Sequence, residues 1–143
     1  MSKELIIKKS VTLNAPIDKV WDVLTNPELT PKYMYGCALV SNWNVGDKIN
    51  WELNGKVVVT GEIIKIVPGK HLHFTTFDPS MGLGDTSPNY IHVTYTLSAN
   101  GSETVLEITQ GDYQGAENAV QRYEDSVKGW DLVINDLKKV AES

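Results

Sequence analysis

One amphipathic run near the C-terminus constrains this chain more than any other feature. Between Ala116 and Ala141 the apolar residues recur at intervals of four and three, which places them on one face of an α-helix. Polar residues fill most of the other positions, so the helix is expected to press one face on a large apolar surface. The stripe consists of Ala116, Val120, Tyr123, Val127, Trp130, Ile134, Leu137 and Ala141.

Short alternating segments precede this run and predict strands that supply the surface. Apolar and polar residues alternate in them, which is typical of half-buried strands. Asn54-Gly55 and Asn100-Gly101 indicate hairpin turns, because type I′ turns need positive φ. The predicted strands cover 5–13, 38–41, 48–53, 56–67, 70–77, 90–99 and 103–111, with Gly61 as a candidate bulge, and two short helical segments cover 17–25 and 28–34. The predicted fold class is therefore α+β, with a curved antiparallel sheet of about six to seven strands around a long C-terminal helix.

Length and composition bound the class of protein. A chain of 143 residues predicts a single domain, and 41% hydrophobic with 22% charged residues is ordinary for a globular protein. The net charge of −5 argues against nucleic acid as a partner. No apolar run approaches the roughly twenty residues that a membrane span needs. With no secretory signal in the first residues and Cys37 as the one cysteine, the expected location is the cytoplasm.

Residues suited to catalysis or metal binding are few. His71 and His73 share one strand face and could point the same way as metal ligands, but no third ligand accompanies them, and His92 falls on an outward position. No Ser, His, Asp arrangement can be identified, and the carboxylates lie mostly at outward positions. We therefore predict no metal, no cofactor and no catalytic residue, with acid–base catalysis as the alternative to simple binding.

The aromatic residues give the strongest functional signal, because ligand pockets combine apolar walls with a few polar groups. A solid core is the alternative interpretation. Gln110 faces inward, so its amide must find a partner in another side chain or in a ligand. The loop at 78–89 is either a lid or a mobile surface connection. The predicted cavity residues are Tyr33, Met34, Tyr35, Trp51, Phe74, Phe77, Tyr95, Gln110, Tyr123, Val127 and Trp130.

Four local strings resemble a known superfamily. APIDKVW at 15–21, LTNP at 24–27, GSETVLEIT at 101–109 and GWDLVINDL at 129–137 are similar to the SRPBCC (START-like) superfamily. Within it, the chain most resembles the stand-alone bacterial homologues of the C-terminal domain of the heat-shock protein 90 ATPase activator. The resemblance covers nearly the whole chain and implies a helix-grip fold with a cavity between the sheet and the long helix.

The leading functional hypothesis is non-enzymatic binding of a small hydrophobic or amphipathic ligand in that cavity. Relatives within the superfamily include lipid carriers, hormone receptors and polyketide cyclases, so the fold does not choose among functions. The resemblance leaves two alternatives open: an enzyme of the cyclase or hydrolase type, and a chaperone-linked protein-interaction module. The protein could be a homodimer under the leading hypothesis and under both alternatives.

Overall fold

The computed structural model describes residues 5–143, apart from the side chains of Met81 and Ser87. All strand pairs are antiparallel, in the order β1-β7-β6-β5-β4-β3-β2. This arrangement, with a long C-terminal helix, confirms the predicted α+β helix-grip fold. The strands are β1 (Ile7–Leu13), β2 (Ala38–Ser41), β3 (Lys48–Leu53), β4 (Lys56–Val67), β5 (His71–Thr76), β6 (Ile91–Asn100) and β7 (Glu103–Gln110). The helices are α1 (Ile17–Thr25) and α2 (Ala119–Ala141), with short 3₁₀ turns at Thr30–Lys32, Pro79–Met81 and Ser87–Asn89.

Both predicted hairpins form, with the second turn at Gly101-Ser102, one residue beyond the predicted Asn100-Gly101. Asn54 and Gly55 have φ angles of 53° and 79°, the left-handed backbone that a type I′ turn requires. Gly101, with φ of 63°, lies in the two-residue loop between β6 and β7. The resulting register pairs Tyr95 with Ile108, and both side chains are buried. The alternation predicted for these two strands is confirmed.

The bulge predicted at Gly61 is wrong. Gly61 pairs regularly with Ile49, and the ladder shifts register on either side of it instead, at residues 57–59 and 63–65 of β4. Strand β5 passes very close to this position, because a Cβ built on Gly61 would lie 1.6 Å from the carbonyl oxygen of Thr75. The glycine therefore marks a close approach of two backbones and not an extra residue.

Helix α2 differs from the prediction in its N-terminal half. It begins at Ala119, so Ala116 lies outside it, and the Val120 side chain is 58% exposed. The C-terminal half buries Trp130, Leu137 and Ala141 as predicted, with Val133 buried in place of Ile134, whereas the first turns bury an arginine. The buried residues of α2 are Arg122, Trp130, Val133, Leu137 and Ala141. The apolar stripe thus identifies the inward face only from Trp130 onward.

The apolar core lies between the sheet and the two helices. Helix α1 packs against α2 and against β6 and β7. Fully buried leucines come from elements far apart in the chain, including Leu13, Leu24, Leu39, Leu72 and Leu106. Within residues 5–143, no helix is both long enough and apolar enough to cross a membrane.

Candidate ligand-binding cavity

A cavity of about 430 Å³ lies between α2 and the inner face of the sheet. Strands β3 to β7, the segment at 34–37 and helix α2 contribute to its wall. The wall includes Tyr35, whose side chain is 63% exposed, and Asp125, which is also exposed. The cavity therefore opens to solvent beside these two residues.

Eight of the eleven residues predicted to line a cavity lie on this wall. Most are aromatic or apolar, so the wall has the composition that small-molecule sites favour. Their contact with a ligand stays a prediction. They are Met34, Tyr35, Trp51, Phe74, Phe77, Tyr95, Gln110 and Trp130.

The structure does not place the other three predicted residues on the cavity wall. Tyr33 is buried in the core, where its hydroxyl donates to the Leu24 carbonyl oxygen at 3.2 Å and burial raises its pKa well above the usual value. Tyr123 and Val127 line a separate groove against residues 6–9 of the first strand region. The first half of α2 presents Arg122, Asp125 and Ser126 to the cavity instead.

A polar network joins β7 to α2 at the cavity wall. The indole nitrogen of Trp130 donates to Gln110 Oε1 at 2.7 Å. Gln110 Nε2 donates to the Tyr113 hydroxyl at 2.5 Å, and that hydroxyl lies 2.7 Å from Ser126 Oγ. The Gln110 amide thus finds side-chain partners, which is one of the two outcomes that the sequence allowed. Trp130 is held by this bond as well as by packing.

We expect Gln110→Leu to lower the free energy of unfolding by about 1–3 kcal/mol, because the buried Trp130 indole would lose its acceptor. Urea denaturation followed by circular dichroism measures the change. Gln121→Leu, on the exposed side of α2, is the control and should change stability by less than about 0.5 kcal/mol. The double variant Gln110→Leu/Trp130→Phe should lose less than the sum of the two single variants. Strict additivity would contradict a direct bond between the two side chains.

Arg122 is the principal cavity residue that the sequence did not identify. It lies in the first turn of α2, lines the cavity and is 8% exposed. Its Nη2 donates to the Asn89 carbonyl oxygen at 3.1 Å, and its Cζ lies 5.8 Å from the centroid of the Tyr113 ring. Nη1 is buried and has no hydrogen-bond partner in the described part of the chain. The sequence did contain one indication that Arg122 faces the cavity. Arg122 precedes Trp130 by about two turns on the same face of the helix.

The loop at 78–89 is anchored to the start of α2 through Asn89. The Asn89 side-chain amide donates to the Gly84 carbonyl oxygen at 2.7 Å and to Glu117 Oε1 at 3.1 Å. The Glu117 backbone N–H donates to Asn89 Oδ1 at 2.9 Å. Two 3₁₀ turns, Pro79–Met81 and Ser87–Asn89, lie within this loop. Its function as a lid stays a prediction.

Two titratable groups of the wall, Tyr95 and Cys37, have shifted pKa values. Burial raises the pKa of Tyr95 far above the usual value, so its hydroxyl keeps its proton. Burial also raises the pKa of the Cys37 thiol, which disfavours the nucleophilic thiolate. Both shifts lead away from neutrality, whereas an acid–base catalyst needs a pKa close to the working pH.

The histidines lie on the outer face of the sheet, away from the cavity. His73 Nε2 is 2.7 Å from His92 Nδ1, and His71 Nδ1 is 3.2 Å from Thr96 Oγ1. Desolvation, followed by the neighbouring charges of His92, His71 and Lys65, lowers the pKa of His73. Among the described residues, no three His, Cys, Asp or Glu side chains are grouped to hold a metal ion.

Known proteins share both this fold and part of this sequence. A family model described as "Activator of Hsp90 ATPase homolog 1-like protein" matches residues 14–142. The solution structure of ChR145 from Cytophaga hutchinsonii has a TM-score of 0.76 and 35% identity, covering 97% of this chain and 94% of that chain. No curated protein sequence matches.

Two more distant structures show the same fold. The Aha1 dimer from Colwellia psychrerythraea has a TM-score of 0.73 and 16% identity, covering 96% of each chain. PFC0360w from Plasmodium falciparum, described as an HSP90 activator, has a TM-score of 0.73 and 14% identity, covering 94% of each chain. At these identities the likeness extends to the fold alone.

Proposed function

This chain belongs to the activator of Hsp90 ATPase homolog 1-like family, and we propose that it is a non-enzymatic binder of a small, mostly apolar molecule. The ligand occupies the space between α2 and the sheet. The observation that carries the proposal is the cavity of about 430 Å³ with an aromatic and apolar wall. Sites for small molecules usually measure about 300–1,000 Å³ and have such walls.

The apolar composition of the wall favours a mostly apolar ligand. Each methylene group that leaves water for an apolar wall contributes about 0.8 kcal/mol, so ten of them supply a gross gain of about 8 kcal/mol. The loss of translational and rotational freedom on binding offsets much of this gain. A medium-length aliphatic or aromatic ligand is therefore expected to bind with a dissociation constant in the micromolar to submillimolar range, roughly 10⁻⁶ to 10⁻⁴ M.

We expect the neutral fluorescent probe N-phenylnaphthylamine to bind the protein, and Val58→Trp to weaken this binding at least about tenfold. Val58 lines the cavity, so the larger indole would occupy the ligand's space. Fluorescence titration measures the affinity. The matched control is Val57→Trp, because the neighbouring Val57 is 47% exposed and lies off the cavity wall.

The paired variants also define the results that contradict the proposal. Equal affinity of Val58→Trp and wild type would place the probe outside the cavity. No binding of the probe to wild type, together with no binding of a fluorescent fatty acid, would remove the receptor function. Retained circular dichroism spectra in both tryptophan variants exclude unfolding as the cause of a weaker signal.

A chaperone-linked interaction module is the second candidate, because two structural neighbours are described as an Aha1 dimer and an HSP90 activator. Apolar side chains that such a contact could use are exposed on the β3–β4 hairpin, at Leu53 and Val57. The test is the ATP hydrolysis rate of a bacterial Hsp90-type chaperone with and without this protein. An unchanged rate would contradict the activator function. Whether the protein is a dimer is a separate question, which light scattering would decide.

A further inference from the structure

We propose that the ligand carries a carboxylate and that Arg122 pairs with it, while the apolar part of the ligand occupies the aromatic end of the cavity. The inference rests on the proposed binding function and names the chemical class of the ligand. Its basis is a buried cation on the cavity wall that has no counter-ion among the residues that the structure describes.

The hydrogen bonds of Arg122 leave part of the guanidinium unused. This group is always charged and carries five N–H donors in a planar fork. Nη2 donates to the Asn89 carbonyl oxygen, and the Tyr113 ring lies within cation–π distance. Nη1 is buried, and no described residue supplies an acceptor for it. A buried charge with an unsatisfied donor is unfavourable, and a carboxylate with two acceptor oxygens matches the fork.

The carboxylates close to the cavity do not neutralise Arg122. Glu117 accepts from groups of the loop at 84–89. Asp78, on the wall, accepts from the serine two residues later, and Asp125, exposed at the opening, accepts from a glutamine one turn earlier. Within the described residues, the two ion pairs are Lys9 with Asp131 and Lys138 with Glu142. Arg122 therefore keeps its full charge for a ligand.

The position of Arg122 suits an anionic head group with an apolar tail. It lies in the first turn of α2, where the helix dipole favours negative charge. The sheet side of the same cavity presents Phe74, Val93 and Trp51, which suit an apolar tail. Nη1 is closed to solvent in this conformation, so pairing requires the long arginine side chain to rotate toward the cavity. Such a rotation crosses only the ordinary barriers between staggered rotamers.

A purely structural arginine is the competing explanation. Arg122 would then serve only to hold Asn89, and its loss would lower stability without changing which ligands bind. The ratio of affinities for ligands that differ only in the head group distinguishes the two explanations, because general destabilisation affects all of them alike.

The experiment measures displacement of N-phenylnaphthylamine by decanoate, decanol and decylamine at neutral pH. In wild type we expect decanoate to displace the probe at a concentration about ten to one hundred times lower than decanol, with decylamine the weakest. In Arg122→Met the preference for decanoate over decanol should fall to about twofold or less, and this ratio is the readout because a general change in the cavity affects both compounds alike. Lys128→Met, which removes an exposed charge from α2, should retain the wild-type preference.

Each result decides the inference. Equal displacement by decanoate and decanol in wild type overturns the inference and leaves the binding function intact. A preference for decanoate that survives in Arg122→Met has the same consequence. No binding of any of the four compounds to wild type overturns the binding function and the inference together.

If Arg122→Met does not fold, the wild-type ratio of decanoate to decanol and the Arg122→Lys variant decide the inference. Lysine keeps the charge but loses the planar fork of donors. The preference of Arg122→Lys for decanoate over decanol should therefore be weaker than that of wild type but still measurable.

Discussion

Gly61→Ala should lower the free energy of unfolding by about 3 kcal/mol or more, the largest effect that we expect from the loss of a single glycine. The new Cβ would lie 1.6 Å from the Thr75 carbonyl oxygen, less than half of an ordinary contact distance. The obstacle is backbone, which cannot rotate away as a side chain can. Strand β4 would have to separate from β5, and overpacking of this kind costs about 1–3 kcal/mol or more. Urea denaturation followed by circular dichroism measures the loss.

Gly129→Ala is the matched control for this substitution, with the opposite expected sign. Gly129 lies within α2, and a Cβ there would meet the Tyr35 hydroxyl at 3.5 Å, an ordinary contact. Alanine is the better helix former, so stability should rise by about 0.5–1 kcal/mol. A loss below 1 kcal/mol in Gly61→Ala would contradict the close approach of β4 and β5.

Gly61 also illustrates what a sequence reveals about a sheet. A glycine among β-branched residues marks a special position in a strand, and the prediction treated it as a bulge. Distinguishing a bulge from a close approach requires the register of β4 against both neighbours. That register depends on the turns and the pairing of β3, β4 and β5 together. The local alternation of apolar and polar residues does not encode it.

The elements themselves were predictable because their signals are local. Asn54-Gly55 and the β6–β7 loop determine two hairpins through backbone φ, and alternation then assigns the inward faces. The start of α2 was less certain, because Ala116 continues an apolar spacing but stands before the helix. An apolar pattern predicts which residues pack against the core. It does not fix the residue at which the helix begins, which can lie after the first residue of the pattern.

The cavity was harder to predict than the core. Inward aromatic residues line either a core or a pocket, and the same apolar pattern predicts both, so it identified eight residues of the wall without showing that a space lies beside them. Tyr123 and Val127 were placed there on the assumption that the apolar side of α2 faces inward throughout its length. In its first half the inward side carries Arg122 and Ser126 instead. A helix above a cavity does not need an apolar inward face, so hydrophobic periodicity misassigns that half.

The two halves of α2 therefore contribute differently. From Trp130 onward the helix packs apolar side chains against the core, and Trp130 and Val133 also reach the cavity wall. Before Trp130 it presents Arg122, Asp125 and Ser126 to the cavity. The C-terminal half therefore stabilises the fold and holds the N-terminal half above the space where we propose that the ligand binds.

We expect Leu137→Ala to lower the free energy of unfolding by about 2–5 kcal/mol, because the side chain is 0% exposed and its removal leaves a cavity that the core can fill only in part. Leu132→Ala is the control on the same helix, since Leu132 is 61% exposed and should change stability by less than about 0.5 kcal/mol. Under conditions where Leu137→Ala remains folded, its affinity for N-phenylnaphthylamine should stay within about threefold of wild type, because Leu137 lies off the cavity wall. Similar losses of stability in both variants would contradict the assignment of the packed face, and a large loss of affinity in folded Leu137→Ala would contradict the separation of the two halves.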